Sequence, residues 1–290
     1  MEQNIGEFLR SRRARIQPED VGLVSGYGRR RVPGLRREEL AQLAGVSVDY
    51  YVRLEQGRSP TVSDSVLDSI GRALRLDGVE QAHLRDLVRP VGDARRAAGA
   101  QQVRPQVRRL LEMMSGVPAF ILGRRLEVLA WNALADAVYG YSTQEPAYRN
   151  AGRHLFLNPA ARDFYPEWET VAAETVGVLR LDAGRYPDDP LTAALVGELS
   201  MKSEPFRELW ARHDVREKIH GHKLINHPIV GELEFEYESL APPGDSDQLI
   251  VAYTVEANSP TDERMRLLAS WQATEPAADL PVADPAAEAN

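Results

Sequence analysis

Residues 36–58 read RREELAQLAGVSVDYYVRLEQGR, two short amphipathic helical patterns that meet at a glycine. Leu40 and Ala41 lie one turn ahead of Ala44, so the three share a face of the first helix. Gly45 takes φ > 0 without steric cost and turns the chain sharply. Val46 closes the corner, and Ser47 is a good N-cap for the second helix. Tyr51 and Leu54 then point back at the first helix, which leaves Val48, Asp49, Tyr50, Val52 and Arg53 free. This is the spacing of a helix-turn-helix. The alternative is an αα-hairpin in a larger bundle, and the small residues at 41 and 44 with Gly45, Val46 and Leu54 at the required offsets favour the helix-turn-helix.

At 290 residues the chain is long enough for two domains of roughly 150 residues each. It has no cysteine, which removes disulfides, thiolate zinc sites and cysteine catalysis from consideration. No apolar run approaches the ~20 residues of a membrane span. The N-terminal MEQNIGEFLR carries acids and lacks the apolar core of a signal peptide, so a cytoplasmic, nucleoid-associated protein is expected.

The net charge of −8 is unevenly divided. Residues 1–90 hold fifteen Arg, no Lys and thirteen acids, for +2; the remainder holds 20 basic and 30 acidic residues, for −10. A head whose cations are all Arg suits phosphate oxygens and guanine edges. An acidic body discourages indiscriminate coating of nucleic acid.

Ile5, Phe8, Leu9 and Ile16 mark a helix ahead of the motif, with Arg10, Arg12, Arg13 and Arg15 along its solvated side and Pro18 at its end. Residues 19–35 form a loop broken by Gly22, Gly26, Gly28, Pro33 and Gly34. Its triplet Arg29-Arg30-Arg31 is either a solvated charge run or an arm on phosphates beside the motif. Two further helices follow, one with Val62, Val66, Leu67, Ile70, Ala73 and Leu74, the next with Ala82, His83, Leu84, Leu87 and Val88. Residues 91–103 are small and polar enough to be a linker.

Beyond Arg104-Pro105, which opens a helix through Met114, the pattern changes. Residues 119–122 and 126–131 are strand-like, and a short helix spans 132–139. Helices are expected over 165–181, 191–201 and 205–213, then strands over 218–227, 232–238 and 249–255, and a closing helix over 265–271. Glu232 to Glu238 alternates strictly, acids on one face and Leu233, Phe235 and Tyr237 on the other. Residues 249–255 are continuously apolar and should form a central strand. The Ala/Pro/Asp-rich tail, 273–290, is expected to be disordered. The fold class is therefore α followed by α+β: an all-α helix-turn-helix domain over 1–90, then an antiparallel sheet covered by helices over 104–272.

The stretch LRREELAQLAGVS…YYVRLEQGR, with Ser-Pro and two more helices after it, resembles the Cro/C1-type (Xre-type) repressor domain over roughly residues 36–75. That family usually joins its first two helices directly, whereas here the Val21–Gly34 insertion intervenes. The second half resembles a PAS-like sensor domain and is similar to the ligand-binding half of MmyB-like regulators. LGRRLEVLAWNALA, LFLNPAARDFYPEWE, LWARHDVRE and HPIVGELEFEYESL carry that likeness.

The resemblance implies a transcription regulator that binds double-stranded DNA and responds to a small apolar effector of fatty-acyl type; no cofactor or membrane is expected, and a homodimer is expected because a single recognition helix reads too few base pairs. The second helix of such a motif enters the major groove. Ser47, Val48, Asp49, Tyr50 and Arg53 are the candidates for base contact: Arg53 for guanine, Asp49 for cytosine N4 and Val48 for a thymine methyl. Arg36, Arg37 and Arg58, with the Arg29, Arg30 and Arg31 arm, are candidates for phosphate. Glu55 is expected in an ion pair beside Arg58 rather than on a base. The residues that line the effector site are not readable.

Rival readings use other residues. His213-Asp214 could serve a hydrolase, but no Gly-x-Ser-x-Gly elbow, P-loop or His-Glu-x-x-His accompanies it, and a buried pair tying helix to sheet is expected instead. His220 and His222 share a strand face and His213 precedes them, yet no carboxylate has matched spacing, so no metal is expected. A module that binds a protein partner without any ligand is the third reading. Phe120, Trp131, Phe156, Trp168, Trp210, Phe235 and Tyr253 are expected mostly in the core.

Overall fold

The computed structural model describes residues 2–23, 34–58, 62–89, 101–245 and 247–272. In chain order the helices and strands are α1 (Glu2–Arg15), α2 (Arg37–Ala44), α3 (Val48–Glu55), α4 (Asp64–Ala73), α5 (Gly78–Val88), α6 (Pro105–Met113), β1 (Ala119–Gly123), β2 (Val128–Trp131), α7 (Ala133–Tyr139), α8 (Ala151–Leu157), α9 (Ala161–Phe164), α10 (Trp168–Arg185), α11 (Pro190–Lys202), α12 (Glu204–Ala211), β3 (His220–His227), β4 (Gly231–Leu240), β5 (Gln248–Thr254) and α13 (Pro260–Gln272). Short 3₁₀ turns occupy Pro18–Val21 and Pro146–Arg149. The expected tail and most of the expected linker lie outside the described residues. The chain forms two compact units, Met1–Gly99 with Ala173–Glu217, and Ala100–Ala172 with Lys218–Asn290.

In the first unit each helix start has a local cause. Ser47 Oγ accepts from the Tyr50 amide at 3.2 Å, Ser63 Oγ from that of Val66, and Asp77 and Glu80 cap one another reciprocally at 2.8 and 3.1 Å. Gly45 ends α2 in the left-handed region at φ 67°, as the motif requires. Phe8, Leu9, Leu35, Leu40, Ala41, Tyr51, Leu54, Leu67, Ile70 and Leu84 bury their side chains in one core.

The Val21–Gly34 insertion does not displace α1. After it, Leu35 N–H donates to the Arg13 carbonyl at 3.1 Å and Arg13 Nη1 donates to the Leu35 carbonyl at 2.6 Å. A side chain at Gly6 would put a carbon 2.2 Å from the Glu55 carbonyl oxygen, so α1 crosses directly over the end of α3.

The segment 173–217 supplies the rest of this unit, a grouping that periodicity does not reveal. Arg12 Nη2 donates to the His213 carbonyl at 2.7 Å, Arg15 pairs with Asp214 at 2.7 Å, and Arg185 pairs with Asp86 at 3.2 Å. The His83 ring lies on Gly184, where any side chain would come within 2.4 Å of it. His213 thus ties α12 to α1 and not to the sheet, correcting the sequence expectation. The expectation failed because its partners stand some two hundred positions away in the chain.

The second unit is built on one antiparallel sheet with strand order β2-β1-β5-β4-β3. The apolar run of β5 sits at its centre, and β4 alternates buried Leu233, Phe235 and Tyr237 with exposed Glu232, Glu234, Glu236 and Glu238. Ala119, Ile121, Ala130 and Ile250 pack against Val107 and Leu111 of α6.

Asn132 joins α6 and β1 to α7. Its Oδ1 accepts from the amides of Ala119 and Ala135 at 3.1 and 2.9 Å, and its Nδ2 donates to the carbonyls of Met114 and Val117 at 2.7 and 2.8 Å. Every hydrogen-bonding capacity of that amide for N–H donation is used.

Candidate nucleic-acid interface and effector site

The outward side of α3 carries the expected DNA-reading groups. Val48 is 40% exposed, and Asp49 and Arg53 are exposed. Arg53 Nε donates to the Asp49 carbonyl at 3.3 Å, which lays the side chain along its own helix. Ser47 accepts the capping bond, yet its hydroxyl hydrogen can still be donated outward. Tyr50 differs from the sequence expectation of a free residue. It is half-buried against the head's core, because it stands beside Tyr51 near the start of a helix only eight residues long.

Arg36 and Arg58 are exposed at the start of α2 and just past α3. Arg37 is placed differently: its Nη2 and Nε donate to Glu55 Oε1 at 2.7 and 3.0 Å. Glu55 is 1% exposed and also faces Arg13 Nε at 3.5 Å. The ion pair expected of Glu55 exists, but with Arg37 and Arg13 in place of Arg58. The carboxylate is turned inward, and the hydrogen bond from Arg37 raises that guanidinium's own pKa. Arg29, Arg30 and Arg31 lie outside the described residues.

In the sheet unit, aromatic side chains converge on the face of β1, β5 and β4 opposite α6. Phe120 meets Tyr139, Tyr141 and Tyr253 at ring separations of 5.9 to 6.0 Å, and Tyr139 stacks on Tyr141 at 5.1 Å. Phe164 and Tyr165 join edge to face at 4.9 Å. Tyr139 donates its hydroxyl to that of Tyr253 at 2.9 Å. Burial holds the phenols of Tyr139, Tyr141 and Tyr165 far above their ordinary range, so they remain neutral donors. Trp131 Nε1 is buried without a hydrogen-bond partner among the described residues, and the Arg149 guanidinium lies 5.4 Å over its ring. Of this cluster, the sequence singled out Phe120, Trp131 and Tyr253; the spacing Tyr139-x-Tyr141 after a capped helix was the signal for the rest.

Two family models match the chain. A helix-turn-helix domain covers residues 4–84, and the MmyB-like transcription regulator ligand binding domain covers residues 103–268. The chain belongs to the MmyB-like transcription regulators. No curated protein matches it. With a helix-turn-helix head and that ligand-binding domain, the regulator is a ligand-responsive, DNA-binding transcription regulator.

The geometry of the rival sites is equally specific. In the regulator His213 and Asp214 do not form a pair: Nδ1 of His213 faces Arg180 Nη1 at 3.1 Å, while Asp214 faces Arg15 and Arg12. His222 faces Glu234 at 3.1 Å on the wet side of the sheet. Among the described residues no group of three His, Asp or Glu side chains is placed to share a metal ion, and no helix is long and apolar enough to cross a membrane.

Proposed function

We propose that the regulator reads a two-fold operator as a homodimer, and that an apolar effector of fatty-acyl type, taken up at the aromatic face of the sheet unit, governs this binding without any cofactor. The carrying observation is the sidedness of α3: Tyr51 and Leu54 are buried while Val48, Asp49 and Arg53 face outward. In this reading Ser47, Val48, Asp49, Tyr50 and Arg53 meet base edges, Arg53 at guanine O6/N7. Arg36 and Arg58 hold phosphate, and Arg29, Arg30 and Arg31 form an arm beside the motif. Arg37 serves phosphate only with the part of its guanidinium that Glu55 leaves open.

One recognition helix reads few base pairs, and a second copy about 34–36 Å away along the duplex supplies the rest. Neutral, buried phenols favour an effector that is largely apolar with one group able to accept a hydrogen bond. Both families found are regulator domains, and in this reading the chain acts by binding DNA and effector.

Native mass spectrometry of the purified full chain tests the effector and the assembly together. A dimer carrying an apolar small molecule supports the reading; a monomer that carries nothing and takes up no long-chain acyl compound contradicts it. For the arm, Arg29, Arg30 and Arg31→Ala should weaken binding to all duplexes alike and flatten the dependence of log affinity on log salt. An unchanged slope would make the triplet a bystander.

A further inference from the structure

Helix α11 carries two charges in its 13 residues, Glu198 and Lys202, and they pair with each other at 2.8 Å. Its inner face buries Thr192, Leu195 and Leu199. The opposite face is apolar and open. Pro190, Ala194 and Gly197 are exposed there, Met201 is 86% exposed, and Leu191 at the flank is 46% exposed. A helix that is apolar on every side belongs in an interior, yet among the described residues α11 is covered on one side alone.

Pro190, Ala194, Gly197 and Met201 follow one another at helical spacing and form a ridge down the middle of the open face. Glycine weakens a helix interior, and a side chain at Gly197 would meet nothing within 4 Å among the described residues, so no contact seen within the chain requires it. Turned end for end about a two-fold axis level with residues 195 and 196, the ridge fits itself. Ala194 falls opposite the partner's Gly197, and Pro190 opposite the partner's Met201. Small residues at the centre let the backbones close, and larger ones fill the ends. Charge agrees with this antiparallel pairing. Exposed Asp188 stands just ahead of the helix and exposed Lys202 ends it, so the acidic end of each copy meets the basic end of the other. Glu198 takes one of the three N–H donors of Lys202 and leaves two for the partner's Asp188.

We propose that two copies of this chain meet through α11, as an antiparallel helix pair. The inference rests on the homodimer reading above and names its interface. A two-fold contact has to be self-complementary, and this face is so in both shape and charge. Because α11 and α3 belong to one compact unit, the axis that relates the two α11 helices relates the two recognition helices as well.

The chain has no cysteine, so Ala194→Cys places a single thiol beside the axis. A short bis-maleimide should link this variant into covalent dimers, while an exposed control, Ala147→Cys, stays unlinked. In sedimentation equilibrium of the full chain, Ala194→Arg should raise the dimer dissociation constant about tenfold or more and leave Tm unchanged, because its position is exposed. Asp188→Lys should weaken the dimer as well, and adding Lys202→Asp to it should restore the strength. Failure of Ala194→Cys to link beyond the control, an unweakened Ala194→Arg dimer, or a charge swap without rescue overturns the interface while the homodimer stands. A wild-type chain that stays monomeric at every concentration overturns both.

Discussion

Arg37 at the start of α2 donates two hydrogen bonds to Glu55 at the end of α3, the shorter at 2.7 Å, and Glu55 is buried beneath it. The pair clasps the two helices of the motif at the ends remote from the Gly45 turn. It also separates Arg37 in role from its exposed neighbour Arg36. Arg37→Ala leaves a buried carboxylate whose remaining cation among the described residues is Arg13, at 3.5 Å, and should cost on the order of 3 kcal/mol in urea denaturation. Arg36→Ala should leave stability unchanged and weaken DNA binding across all sequences. Equal stabilities for the two variants would contradict the division of roles.

Arg53→Ala should relax discrimination at one or two base positions by about 1–3 kcal/mol while leaving stability intact, since among the described residues the Arg53 side chain bonds only to its own helix. Competition gel shifts with single-base operator variants measure this. A uniform loss at every position would instead make Arg53 a phosphate contact.

Asn132 is buried with four hydrogen bonds, so Asn132→Ala strands two amides and two carbonyls and should cost on the order of 3 kcal/mol. Asn132→Asp should do at least as much harm at neutral pH, because a carboxylate would face the Met114 and Val117 carbonyls. Thermal unfolding of the pair decides it, and a milder loss for the aspartate would count against the assigned orientation of the amide.

Acid should loosen the first unit. Burial and then the nearby arginines, Arg180 foremost, lower the pKa of His213 to about 4 and that of His83 to about 3, from an ordinary 6.5. Below 6.5 the unfolded chain takes up protons that the folded chain refuses, so stability is complete above that pH and is lost as pH falls toward 4. Urea midpoints from about pH 7 down to about pH 4 should show the slope. His213→Asn, which still offers Arg180 an acceptor, should flatten it. An identical slope in that variant would remove His213 from the cause.

Local periodicity carried far in this chain. The buried set Leu40, Ala41, Ala44, Tyr51 and Leu54 follows from helical spacing alone, and the two-sided β4 and central β5 follow from alternation and from a continuous apolar run. What periodicity could not convey is which distant side chain answers a buried charge. Glu55 stands closer in sequence to Arg58 than to Arg37 or Arg13, yet the fold brings the latter two onto it. The same holds for 173–217, whose helical pattern is plain but whose partners are Arg12, His83 and Asp86. The aromatic face was partly hidden because its rings come from three strands, two helix ends and two loops, with no shared period.

Selection from a random pool of duplexes by the full-length protein tests two-fold reading through Arg53 without presupposing an operator. Enrichment of a two-fold symmetric site with half-sites about one helical turn apart is expected, with a sequence preference that relaxes at one or two positions with Arg53→Ala. Uniform recovery of all duplexes, or the same preferred site with and without Arg53, would contradict it.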